Sequence, residues 1–178
     1  MVIVKTLQIE SPSELDDITC RALAELLVDC VEGGASVGFM PPLSAERAMT
    51  YWDRVADEVR SRKRAILVAS DRVGVVGTVQ LVLEQPENQP HRADLVKLLV
   101  HRRARRLGVA TALMEHVEEL ARSRGKSLLV LDAVSGGPAA RLYAQIGWEA
   151  VGDIPGYALN PDGSMCSTTY FYRRLAAK

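Results

Sequence analysis

The sequence has no excess charge of either sign. Its 178 residues carry 22 Lys and Arg against 22 Asp and Glu. A protein that holds nucleic acid mainly through its phosphates is normally basic, so that class is disfavoured and no nucleic-acid partner is expected. No apolar run approaches the roughly 18 residues of a membrane span. The opening stretch, MVIVKTLQIESPSELDD, lacks the apolar core and small-residue cleavage site of a secretory leader, so no membrane partner and a cytoplasmic location are expected. Cysteine is scarce: Cys20, Cys30 and Cys166 are odd in number, widely spaced and outside any C-x-x-C pair. His91, His101 and His116 share no metal-ligand spacing, so no metal site is expected. Aromatic residues make up 5% of the chain. None interleaves with Arg102–Arg106, as a stacking groove for single strands would require. There is no Gly-Lys-Ser/Thr of an ATPase phosphate loop and no G-x-G-x-x-G of a dinucleotide fold. What is present is ordinary for a globular protein, 48% hydrophobic and 25% charged, and long enough for one domain over residues 1–178.

Hydrophobic periodicity alternates between two regimes along the chain. Met1 to Ile9 alternates like a strand. Ser11-Pro12-Ser13-Glu14 has the form of a capping box with proline at the first helical position. Leu15, Ile18, Ala22, Leu26 and Cys30 then repeat at helical spacing up to Gly33-Gly34. The glycine- and proline-rich GGASVGFMPPL reads as a loop before a second helix near Ser44, with Ala48, Trp52, Val55 and Val59 inward. Ala65–Ala69 and Val75–Leu83 pair across a turn at Asp71–Gly74. Ala93–Val100 is almost continuously apolar, as expected of a strand covered on both faces. A helix to Gly125, a strand at Leu128–Leu131, a helix at Pro138–Ile146 and a strand at Trp148–Gly152 follow. The loop PGYALNPDG then leads to a last strand at Thr168–Leu175. The resulting order, β-α-α-β-β-β-α-β-α-β-β, predicts an α/β fold with a mixed central sheet of about seven strands.

The chemically informative stretch is ADLVKLLVHRRARRLGVATALMEHVEELA. A buried strand runs through a basic loop and Gly108 into an amphipathic helix. The first N–H groups of a helix lack intrahelical partners, and the helix dipole leaves positive charge there. A phosphate at that end satisfies both. Gly108 permits close backbone approach and Ala110 keeps the next turn small. Of the neighbouring arginines, Arg105 and Arg106 lie nearest the turn. Read without a ligand, the same segment is a solvated basic loop before an ordinary helix.

Arg105-Arg106-Leu107-Gly108-Val109-Ala110 resembles the Q/R-x-x-G-x-G/A motif of the GNAT superfamily of N-acetyltransferases. The element order is similar over the whole chain, and ARLYAQIGWEAVG is similar to the family's second signature, with Tyr143, Gly147 and Trp148 in place. The resemblance implies acetyl-CoA as co-substrate, its pyrophosphate held by Arg105, Arg106, Leu107, Gly108, Val109, Ala110 and Thr111. It also implies a pantetheine arm lying along Leu99 and Val100, where a backbone N–H would serve the oxyanion. The chain departs from the family at Arg106, where Gly is frequent, and at Ser135-Gly136-Gly137, where Asn is frequent. The loops GGASVGFM and GDIPGYALNPDG, together with VKLLV, resemble a branch that acetylates an amino-acid toxin, which implies a small-molecule amine as acceptor.

Acetyl transfer to an amine needs a base for the amine, a donor for the oxyanion and a proton for the departing thiolate. The resemblance makes Tyr143 the acid; by spacing alone it belongs to the apolar stripe Ala139, Leu142, Tyr143 and Ile146. Asp132, closing the apolar run LLVLD, reads as a partly desolvated base or as a strand-ending or capping residue. Asp94, Glu84 and Lys97 are weaker candidates, with Lys97 expected to pair with Asp94 or Glu84. Ser36, Phe39, Tyr157 and Asp162, on the two unusual loops, are the expected acceptor contacts. Other readings are a non-catalytic acyl-CoA sensor and an enzyme acting on protein amines. Family members often form dimers, and the last strand, taken as an exposed edge, would support a homodimer.

Overall fold

A computed structural model describes residues 7–176. Seven strands and four α-helices follow one another as β1 (Gln8–Glu10), α1 (Asp17–Glu32), α2 (Ala45–Arg60), β2 (Arg64–Asp71), β3 (Gly74–Val82), β4 (Arg92–Val100), α3 (Val109–Ser123), β5 (Leu128–Val134), α4 (Pro138–Gln145), β6 (Glu149–Leu159) and β7 (Met165–Arg174). A 3-10 turn at Arg102–Ala104 separates β4 from α3. The expected order and mixed sheet are both present. The strands lie β1-β2-β3-β4-β5-β7-β6, with β4 and β5 the parallel neighbours in an otherwise antiparallel sheet.

Several boundaries differ from expectation. Helix α1 starts at Asp17 rather than within Ser11–Glu14, because the Asp16 carboxylate accepts the Thr19 N–H at 2.8 Å and takes the capping role. Leu15, just before that cap, and Cys20, one turn in, are both buried, the staple pattern that fixes where a chain enters a helix. Helix α2 is capped by Ser44 as expected. The opening strand is described only at Gln8–Glu10; Met1–Thr6 lie outside the described residues.

The larger correction concerns the end of the chain. PGYAL is not a loop but the second half of β6, and the true turn is confined to Asn160–Ser164. β6 is the edge strand, so Pro155 need not donate to a ladder, and the pairing with β7 slips between Ile154 and Ala158 to accommodate Pro155 and Gly156. For the same reason the last strand is not an edge: β7 is enclosed between β5 and β6, and edge pairing by β7 is excluded.

Two apolar layers cover the sheet. Helices α1 and α2 bury Leu23, Leu27, Trp52 and Val55 with Ile66, Val68 and Leu99. Helices α3 and α4 bury Leu113, Val117 and Tyr143 with Val79, Leu95, Leu129 and Phe171. Helix α3 approaches the sheet most closely at Gly77: a Cβ there would lie 3.0 Å from Leu113 Cδ1, 3.0 Å from Val109 Cγ1 and 3.1 Å from Leu99 O. Gly77→Val is therefore expected to cost about 1–3 kcal/mol by overpacking, a fall in Tm of roughly 2–12 °C for a domain of this size, read from a thermal melt. No described helix is long and apolar enough to cross a membrane.

Candidate active site

The site grows from an irregularity in β4. Ala93 and Leu95 face the α3–α4 layer, whereas Leu99 faces the α1–α2 layer. Strict alternation would keep odd residues on one face. The exchange is made by a bulge: the register with β3 shifts between Gln80↔Val96 and Thr78↔Leu99, and Lys97 takes the left-handed conformation, φ 54°. Beyond Arg92–Asp94, paired with Leu128–Val130, β4 no longer bonds to β5, which continues against β7 instead. Two parallel strands thus diverge into a cleft.

Main-chain groups line that cleft. The His101 N–H bonds back to Val76 O at 2.9 Å, so alternation turns the preceding Val100 N–H away from β3, into the gap. The Val100 carbonyl follows the same rule, accepting from Cys30 Sγ at 3.6 Å and Arg105 Nε at 3.4 Å. Leu99 is fully buried beneath α1 and α2, so its side chain serves the packing of this wall.

At the mouth of the cleft, the basic segment divides its labour. Arg102 is spent on α1, bonding Asp29 at 2.7 Å and reaching Glu32 at 3.5 Å. Arg103 bonds Asp71 at 2.5 Å and holds that carboxyl down at about 2, so the pair stays ionic at neutral pH. These two arginines fasten the turn to α1 and to the β2–β3 hairpin. Arg105 and Arg106 are exposed and form no ion pair among the described residues. Leu107 is exposed and Val109 buried, while Ala110 and Thr111 are half-buried. Helix α3 begins after Gly108 (φ 82°), which supplies no side-chain cap, and the Ala112 N–H is the first to bond back, to Gly108 O. The N–H groups of Val109, Ala110 and Thr111 are thus left without intrahelical acceptors. Arg106 also sits in the left-handed region, φ 61°, which accounts physically for the frequency of Gly there in the family: a side chain is tolerated but strained.

Tyr143 and Asp132 occupy opposite faces of the divergence. Tyr143 projects from α4 into the core, its ring 5.9 Å from Trp148 and 5.8 Å from Phe171. Burial, with a smaller contribution from Asp132, pushes its hydroxyl pKa well up, so the phenol keeps its proton at neutral pH. The residue is a core aromatic whose hydroxyl stays protonated. Asp132 is not at the end of β5, which runs on to Val134, and it is exposed rather than desolvated. Leu129 and Leu131 face α3 and α4, so Asp132 faces the other way, where its Oδ2 accepts the Thr168 hydroxyl at 2.9 Å. The expected pairing of Lys97 is also corrected: Glu84 pairs with Lys63 and Asp94 with Arg92.

The two unusual loops come together above this face. Ser36 Oγ donates to Leu159 O at 3.4 Å, joining the α1–α2 loop to the β6–β7 hairpin. Phe39 stacks edge-on against Tyr51 at 5.3 Å. The Tyr157 hydroxyl meets that of Tyr170 at 2.8 Å, and Tyr170 is register partner to Asp132. Asp162 remains in the hairpin turn, its Oδ1 accepting from the Ser164 N–H and hydroxyl. Sequence reasoning missed Tyr51 and Tyr170. Tyr51 reads as part of the helical stripe beside Trp52, and Tyr170 enters only through strand register. No cluster of His, Cys, Asp or Glu suited to a metal occurs among the described residues.

A parallel-strand divergence, a main-chain donor and an uncapped helix end define an α/β acyl-transfer scaffold. The acetyltransferase (GNAT) family model matches residues 21–148, and the chain belongs to that family. Solved structures agree in fold. A ribosomal-protein-alanine N-acetyltransferase from Brucella melitensis is 21% identical with TM-score 0.79, covering 94% of this chain and 99% of its own. A Salmonella typhimurium protein assigned as an acetyltransferase, solved with its cofactor acetyl-CoA, is 17% identical with TM-score 0.77, covering 97% and 95%. A protein assigned as a phosphinothricin N-acetyltransferase is 18% identical with TM-score 0.75, covering 97% and 100%.

Proposed function

We infer that this acetyltransferase binds acetyl-CoA in the β4–β5 divergence and acetylates the amine of a small molecule. The observation that carries the reading is the convergence of three features on one cleft: strands that part after Asp94, a Val100 N–H facing the gap, and the uncapped start of α3 beside Arg105 and Arg106. A pyrophosphate fits that helix end because donors and positive charge are supplied there and no acidic side chain claims them. When bound, the coenzyme supplies an activated acetyl thioester. The chain's own groups then have distinct tasks. Arg105, Arg106 and the N–H groups of Val109, Ala110 and Thr111 hold phosphate oxygens, and the Val100 N–H faces the carbonyl oxygen as it gains charge. Tyr143 holds a proton for the leaving sulfur, and Asp132, open to solvent on the opposite face, accepts the amine's proton directly or through water.

The Ser36–Leu159 contact brings the α1–α2 loop against the end of β6 on the acceptor side, which suits a compact amine better than a long peptide. The resemblance of GGASVGFM and GDIPGYALNPDG to segments of the tabtoxin resistance protein supports an amino-acid-like toxin related to tabtoxinine-β-lactam as one such amine, with cytoplasmic detoxification as the role.

The test is a thermal melt with acetyl-CoA, with ATP and NAD as controls, followed by an acceptor screen. At about 100 times its dissociation constant, a ligand of the folded state adds about 2.7 kcal/mol, a rise in Tm of roughly 5–10 °C for a domain of this size. A shift with acetyl-CoA alone supports the reading; equal shifts with ATP and NAD, or none with any, would overturn it.

A further inference from the structure

Lys97 is the residue that the site, as described so far, leaves unexplained. It occupies the β4 bulge in a left-handed conformation that favours glycine, on the strand that forms one wall of the cleft. Its ammonium makes no hydrogen bond and no ion pair among the described residues; its surroundings are the rings of Phe39 at 5.9 Å and Tyr51 at 5.8 Å. The two acids the sequence offered it are paired elsewhere, Glu84 with Lys63 and Asp94 with Arg92, and the carboxylate whose charge does reach it, Asp132, accepts the Thr168 hydroxyl. A half-buried ammonium held between rings, without a carboxylate, is a costly arrangement to leave unfilled. Burial and the nearby charges of Arg64 and Arg54 lower its pKa, while Asp132 opposes them.

A second cation faces one of these rings, that of Tyr51. Arg54 lies 5.5 Å from the Tyr51 centroid and has no ion-pair partner among the described residues. Tyr51 is held in place from beneath, its hydroxyl donating to Gln80 Oε1 at 3.0 Å, the oxygen that Arg64 also bonds at 2.5 Å. Gly38 of the α1–α2 loop passes beside the charge: a Cβ built on it would lie 3.5 Å from the Lys97 ammonium, an ordinary contact, and its φ of 81° is what favours glycine there. Across the divergence stands Asp132. The acceptor face thus presents positive charge at Lys97 and Arg54 and negative charge at Asp132, the complement of a molecule carrying both a carboxylate and an amine.

The geometry points to Lys97, assisted by Arg54, as the receptor for a carboxylate on the acceptor molecule, which makes that acceptor an amino acid rather than a simple amine. The cation then orients as well as binds. It repels the ammonium end of the acceptor and turns it toward Asp132, and it draws the carboxylate against Phe39 and Tyr51. A phosphate at the same place would bring a second negative charge toward Asp132. The inference rests on the small-molecule reading above and names the chemical class of its acceptor.

The test pairs turnover with binding. L-α-amino acids with acidic, amide and aliphatic side chains are each compared with their methyl esters and decarboxylated amines. They serve as acceptors with acetyl-CoA and, separately, as ligands titrated calorimetrically into the protein saturated with coenzyme A. The free acid is expected to have the lower KM and tighter binding by on the order of tenfold or more, as a charge-assisted contact supplies. Lys97→Met should abolish that preference through KM with kcat changed little. Lys97→Arg should restore part of it, and Arg54→Gln, on the exposed side of α2, should weaken it with the fold untouched. Acid and ester used and bound alike, or a preference unaltered in both Lys97→Met and Arg54→Gln, overturns the inference. A binding preference that disappears in the variants, without turnover of any amine, instead sustains the carboxylate site and overturns the enzymatic reading.

Discussion

Tyr143→Phe should lower kcat by about 10²–10⁴-fold, the range in which a positioned general acid contributes, while acetyl-CoA still raises the melting temperature as it does in the parent protein. The change removes one oxygen from a ring seated against Trp148 and Phe171, so packing is conserved and the loss falls on chemistry. The pH–rate profile separates the two roles further. Burial keeps the Tyr143 phenol protonated well above its ordinary range. Raising the pH through neutrality therefore does not exhaust the acid, and the ascending limb there belongs to deprotonation of the amine. The variant should show the same ascending limb at reduced height. A variant as active as the parent would return Tyr143 to a purely structural role, and one that loses its response to acetyl-CoA would show that the ring shapes the coenzyme cleft instead.

Trp52→Ala should cost about 3–5 kcal/mol, lowering Tm by roughly 6–20 °C at this chain length. Trp52 is fully buried and is the largest side chain in the layer between α2 and the sheet. Its Nε1 is buried without a hydrogen-bond partner, so Trp52→Phe, which discards that unpaired donor, should cost much less than truncation. The consequence for activity follows from its neighbour. Tyr51, whose ring lies 5.2 Å from Trp52, faces Phe39 and Lys97 on the acceptor side. Loosening α2 should therefore raise the KM for the acceptor before it affects coenzyme binding, which the proposed function assigns to α3 and β4. Equal losses on both substrates would mean that α1 and α2 support the whole cleft.

Both predictions concern residues whose roles are half visible in the linear chain. Trp52 and Tyr143 are each legible as inward positions of an amphipathic helix, because helical periodicity is local and survives in one dimension. The basic turn before α3 is legible for a similar reason. A strand, a basic turn, a glycine and a helix start are contiguous, and the electrostatics of a helix end need no distant partner. The sequence by itself therefore determined the order of elements, the class of fold and the place where an anion is favoured.

The tertiary structure decided everything that depends on which strands lie side by side. The bulge at Lys97 appears only in the register of β4 against β3. The divergence of β4 from β5 exists only because β5 continues with β7, and so the residues facing Asp132 come from β7, 36 positions away in the case of Thr168. PGYAL looked like a loop because proline and glycine break most strands, yet an unpaired edge tolerates them. The four arginines of Arg102–Arg106 look equivalent in the sequence. They separate into two that anchor and two without an ion pair among the described residues because Asp29 and Asp71, remote in the chain, reach the first pair. Local propensity and periodicity act over a few residues, whereas strand pairing and charge compensation are settled by contacts between distant segments, and those contacts shape the acceptor face.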